Sequence, residues 1–144
     1  MTTPSALSRP SEVPFRRRVA ARAAVAVARA LATLPPQRVR RVLVVLRRGA
    51  RQATHREARS ARDAVLAVSL TCLGPQGCLP RSLAVTVLCR MRGSWPTWCV
   101  GVRAMPPFGA HAWVEAGGEP VDENVPADYF RRLIAVEPAG PARS

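Results

Sequence analysis

Cys78, His111 and Asp122 supply a thiol, an imidazole and a carboxylate in the chain order that a cysteine hydrolase can use. The thiolate is the attacking species, and an ordinary cysteine is mostly protonated at neutral pH, so it needs local help. Cys78 heads the run 79–92, where Leu79, Leu83, Val87 and Met91 recur every fourth residue beside Ala84 and Leu88. That spacing predicts a helix, with Pro80 tolerated in its first turn and Gly93 ending it after Arg90 and Arg92. The positive end of such a helix lowers the pKa of a thiol at its start, and a nearby imidazolium does the same. Of the two histidines, His55 lies between Thr54 and Arg56 in an Arg-rich stretch and reads as a solvated side chain. His111 is left as the base. A carboxylate behind the ring would orient it and stabilise its charged form. Backbone N–H groups at the helix start are candidate oxyanion donors, and Gln76 is another.

These groups must be positioned by strands. Thr97–Arg103 and Ala110–Ala116 both read as strands, and Gly117-Gly118 is a two-residue hairpin signal. That turn pairs Ala116 with Glu119 and sets Trp113 opposite Asp122. Opposed residues share a face, so His111, Trp113 and Asp122 line one side, and Glu123 points away. A turn longer by one residue reverses the choice between Asp122 and Glu123. Trp113 either shields the ion pair or fills the core, while Trp95 and Trp98 read as packing residues.

The remaining cysteines carry less. Cys89 falls in the helix and Cys99 in a strand, where each reads as a small core residue; Cys72 is a loop or core thiol. The spacings among Cys72, Cys78, Cys89 and Cys99 match no common zinc pair. No export signal supports a disulfide set, so the expectation is reduced thiols in the cytoplasm.

Charge is concentrated at one end. Of 22 basic residues, all arginine, 15 precede Asp63, against two of the nine acids, Glu12 and Glu57. Phe15–Leu34 reads as a helix with Arg18, Arg22 and Arg29 on one face. Pro35-Pro36 breaks it. Val39, Val42, Leu43 and Leu46 mark a second helix before Gly49, and Ala58, Ala61, Val65 and Val68 a third. Charges recur through the first helix, which argues against a membrane span; its basic amphipathic character would permit peripheral membrane contact, which is not expected. The Arg faces read either as solvated surface or as docking surface for acidic partners. Nucleic acid is disfavoured, since the basic region holds one aromatic, Phe15, and no binding motif.

The stretch Cys78-Leu-Pro-Arg-Ser-Leu-Ala84, the following Leu/Arg-rich helix, Val100-Gly-Val-Arg103 and Phe108-Gly-Ala-His-Ala-Trp-Val-Glu115 resemble the leader peptidase of lasso-peptide biosynthesis, a family of the transglutaminase-like (papain-related) superfamily. The likeness runs from about residue 60 to residue 137 and rests on two separated motifs in the same order. It implies that Cys78 is the nucleophile and His111 the base, with the acid at Asp122 or Glu123; Val121-Asp-Glu123 stands where the family often shows a hydrophobic-Asn-Asp/Glu pattern. It further implies removal of the leader from a ribosomally made precursor peptide, together with a small leader-binding protein. A macrolactam synthetase then closes the ring and is a further candidate partner. No metal or organic cofactor is implied.

The expectation is therefore an α+β protein: a flexible tail over 1–12, an Arg-rich helical region over 13–62 that docks partners, a transglutaminase-like core over 63–137 with the Cys78 helix packed on a small antiparallel sheet, and a second tail over 138–144. The alternatives are a transglutaminase-like acyltransferase using the same residues and a non-catalytic scaffold that presents precursor to the synthetase.

Overall fold

The computed structural model describes residues 14–69, 77–105, 109–121 and 129–139. Helices α1 (Phe15–Leu31), α2 (Pro36–Leu46) and α3 (His55–Val68) precede α4 (Cys78–Met91). The two-residue strands β1 (Arg51–Gln52) and β2 (Ser94–Trp95) pair in parallel. Strands β3 (Thr97–Arg103), β4 (Ala110–Ala116), β5 (Glu119–Pro120) and β6 (Phe130–Val136) form an antiparallel sheet in the order β5-β4-β3-β6. The chain is thus α+β, as its periodicities predicted.

α4 is the centre of the molecule. Every residue from Ser82 to Cys89 is buried, the pattern of a helix covered on all sides. α1 and α3 pack on it, as do β4 and β3. The close approach of α1 follows from its sequence. Ala21, Ala24, Ala28 and Leu31 form its buried stripe, and small side chains let one helix lie close along another, while the arginines of α1 stay outside. Leu43 and Val39 bury α2 in the same way, beside β6. One hydrophobic cluster therefore joins α1, α2, α3, α4 and the sheet. The expected division between residues 62 and 63 falls inside α3, and the basic helices supply part of the core that packs α4.

The first helix ends at Leu31, earlier than the predicted Leu34, because Pro35 disfavours helical backbone in the residue before it. β6 was not anticipated at all. It completes the sheet beyond β3, with a register shift between Val100 and Gly101. Trp98 Nε1 donates to Ser82 Oγ at 3.1 Å, joining β3 to α4, and Trp95 Nε1 donates to Val136 O at 3.1 Å, joining β2 to β6. Both indoles are fully buried.

α3 starts with a reciprocal cap. The Glu57 N–H donates to Thr54 Oγ1 at 3.1 Å, and the Thr54 N–H donates to Glu57 Oε1 at 2.9 Å. Arg51 grips the same carboxylate with two nitrogens, NH1 donating to Oε1 at 2.8 Å and NH2 to Oε2. The Arg51 hydrogen bond, then the Thr54 N–H, hold the Glu57 carboxyl down to about 2. What Glu57 adds to stability is therefore present above the ordinary carboxylate range and is lost as pH falls toward 2. Thr54→Ala should cost about 1 kcal/mol in urea unfolding at neutral pH, and Glu57→Gln should flatten the acid limb of the stability curve. No helix among the described residues is long and apolar enough to cross a membrane.

Candidate active site

The first turn of α4 meets the sheet at the start of β4. There the imidazole of His111 donates a hydrogen bond to the Cys78 sulfur, as does the backbone N–H of Ala112. Thirty-odd residues of sequence separate the thiol from the ring, and the packing of α4 on β4 closes that gap. The Cys78 thiol lies below its ordinary value, first because of the His111 hydrogen bond, then through the Ala112 N–H and the positive charges of His111 and Arg81; partial burial opposes them. The positive end of α4 acts in the same direction. Helical bonding begins with the Arg81 N–H donating to Gly77 O at 2.8 Å. The N–H groups of Cys78 and Leu79 come before it and have no acceptor within the helix. They are candidate donors to an oxyanion formed at the sulfur.

The other cysteines differ sharply. Burial pushes the thiols of Cys89 and Cys99 up to about 12. All three are free thiols, Cys78 half-buried and the others buried. Iodoacetamide should therefore label Cys78 well before Cys89 and Cys99 in the folded protein, as mapped by peptide mass spectrometry. Its labelling rate should already rise below the pH at which a free thiol ionises. His111→Ala should move that rise to higher pH, because it removes the largest cause of the depression.

Aromatic side chains hold the His111 ring. It stacks on Phe130 with centroids 4.5 Å apart and on Trp113 at 5.7 Å, while Trp113 and Phe130 stack at 5.2 Å. Trp113 is itself fixed, since its Nε1 donates to Glu115 Oε2 at 2.9 Å and Arg132 NH1 reaches Glu115 Oε1 at 3.5 Å. The ring that alternation placed on the His111 face thus both fills space and limits the orientations open to the imidazole. The Gly117-Gly118 turn has the expected two residues, both at positive φ. It pairs Ala116 with Glu119 and Glu115 with Pro120, and the Val121 N–H donates to Val114 O at 3.0 Å. Asp122, Glu123, Gln76 and Cys72 lie outside the described residues. His55 begins α3, away from this site.

Two contributors were not singled out from sequence. Arg81 stands three residues after Cys78, a spacing that returns to the same helix face, so the helical reading already held that signal. Phe130 offered none, because its place over the imidazole depends on β6 joining the sheet beside β3. Among the described residues no three His, Cys, Asp or Glu side chains converge as metal ligands.

A depressed thiol, a hydrogen-bonded imidazole and unclaimed N–H groups at one helix start suit acyl chemistry through a thioester. No curated protein and no solved structure matches the chain. A family model does, over residues 21–135, a span that takes in most of α1 and nearly all of β6 as well as the Cys78 and His111 motifs. By that match the chain belongs to the transglutaminase-like superfamily.

Proposed function

We propose that this protein is a cysteine peptidase that removes the leader from a lasso-peptide precursor, working with a leader-binding partner protein. The observation that carries this reading is the Cys78–His111 pair at the start of α4, with its lowered thiol. The motif resemblance around these two residues supplies the substrate class, and the superfamily supplies a precedent for thioester chemistry.

The Cys78 thiolate attacks the carbonyl carbon between leader and core. The N–H groups of the first turn of α4 receive the resulting oxyanion. The His111 imidazolium gives its proton to the departing core amine as the C–N bond breaks, leaving the leader as a thioester on Cys78. Neutral His111 then takes a proton from water, the hydroxide displaces the sulfur, and the leader leaves with a free carboxylate. Asp122 is the proposed partner of the ring, with Glu123 as its neighbour and alternative.

The test is incubation with precursor and leader-binding protein, read by mass spectrometry. Hydrolysis yields a leader with a free carboxylate and a core with a free N-terminus, whose masses together exceed the precursor by one water. A leader carrying an added amine instead would identify an acyltransferase. Full processing after complete alkylation of Cys78 would refute the thiol mechanism, and a scaffold that only presents precursor to the synthetase would keep that role with Cys78 blocked. The lowered thiol favours the enzyme over the scaffold, since presenting a peptide needs no thiolate.

A further inference from the structure

The far end of α4 carries a second feature. α1, β1, α3 and the segment after α4 enclose a cleft of about 290 Å³ whose charged lining is Arg17, Arg51, Arg56, Glu57 and Arg92, with the hydroxyls of Ser60 and Ser94 beside them. Cys89, in its floor, stands three turns along α4 from Cys78, about 16 Å at the helical rise. The cleft is therefore separate from the thiol site.

Its charge is out of balance. Four guanidiniums face one carboxylate, and Glu57 is already held by Arg51 and by the Thr54 N–H. Among the described residues Arg17, Arg56 and Arg92 pair with no carboxylate. Arg17 NH1 and Arg92 NH1 instead converge on one neutral hydroxyl, Ser60 Oγ, at 3.5 and 3.4 Å. Burial and the facing charge of Arg17 both disfavour the charged form of Arg92. Two cations brought together over a weak acceptor, beside a cavity, form a place where an anion is strongly favoured.

We propose that this cleft binds an acidic peptide segment, seating one carboxylate between Arg17 and Arg92 over Ser60 and a neighbouring one at Arg56. The guanidinium fork matches a carboxylate in two-point contact, and Arg51 already holds Glu57 this way in the same cleft. A water occupies about 30 Å³, so a single small oxyanion would leave most of the cleft unfilled, whereas side chains of a peptide would fill it. No aromatic lines the cleft, which disfavours a nucleic acid strand seated by base stacking.

The probe is a fluorescein-labelled hexaglutamate peptide titrated with the full chain at low salt and read by anisotropy. Arg17→Gln/Arg92→Gln should weaken binding by roughly tenfold or more. Arg29→Gln/Arg40→Gln removes the same charge from exposed positions outside the cleft and should change affinity by less than about twofold. Equal losses in the two pairs would show attraction to net charge alone and overturn the proposal. So would displacement of the peptide by inorganic phosphate at matched charge concentration, which would mark a free-oxyanion site, or equal binding of hexaglutamine. Ser60→Asp places a tethered carboxylate between the two guanidiniums, so it should block the peptide while raising the melting temperature. Undiminished binding by that variant would also overturn the proposal. Each arm reads binding or melting, so its outcome is independent of whether Cys78 cleaves anything.

Discussion

Cys78→Ala should lower precursor cleavage by roughly four orders of magnitude or more, with the unfolding free energy changed by less than about 1 kcal/mol. The two halves of that result have separate origins. Activity falls because no other described cysteine can take over: Cys89 and Cys99 are buried, with thiols pushed up to about 12. Stability is nearly kept because Cys78 is only half-buried and precedes the closely packed segment Ser82–Cys89, so truncating it opens no cavity in the core. Cleavage by Cys78→Ala at the parent rate, in protein shown by mass to be free of parent enzyme, would refute the mechanism. Circular dichroism and urea unfolding on the same samples separate a lost nucleophile from a lost fold.

Gly101→Ala should be the most damaging single-methyl change in the sheet. Gly101 lies opposite His111 on β4, at the register shift between β3 and β6. A Cβ there would stand 2.1 Å from Arg131 O and 3.0 Å from the Trp113 ring. The backbone of β6 cannot yield like the end of a flexible side chain, so the strand must move away. Overpacking of this kind costs about 1–3 kcal/mol. The displacement also acts on chemistry, because β6 carries Phe130, which stacks on the His111 ring. Cleavage should fall beyond what the unfolded fraction explains, and the pH at which Cys78 becomes alkylated should shift. Gly109→Ala is the matched control, since nothing lies within 4 Å of its added carbon. If both variants unfold at the same urea concentration, the tight approach of β6 at Gly101 is not a constraint.

These two positions also mark how far the sequence could be read. The Cys78 helix was legible because its apolar residues return every fourth position and a proline and a glycine bound it. β3 and β4 were legible as strands from their residue types, and the register of β4 with β5 because a two-glycine turn leaves that hairpin one good geometry. The register of β4 with β3 was not, since the connection between them carries no two-residue turn signal. β6 was not. Its residues Phe130-Arg131-Arg132-Leu133-Ile134-Ala135-Val136 place two arginines together and then four apolar residues, and the register shift beside Gly101 breaks the alternation that marks a regular strand. The need for glycine at 101 was hidden with it, because the clashing atom belongs to β6. β1 and β2 have two residues each, too few to show any period. The capping pair Thr54 and Glu57 stands in the sequence at the standard spacing, a helix-start signal set among arginines.

The alanines of α1 have a practical consequence. Ala21, Ala24 and Ala28 are fully buried, and the helix that carries them packs along α4. A shortened protein starting near residue 63 would expose an oily flank of α4 to water, inviting self-association. Transplanting the thiol–imidazole pair into another scaffold would therefore mean moving the arginine-bearing helix too, so engineers wishing to reduce this protein's positive charge should recode its outward side chains one by one instead of trimming the N-terminus.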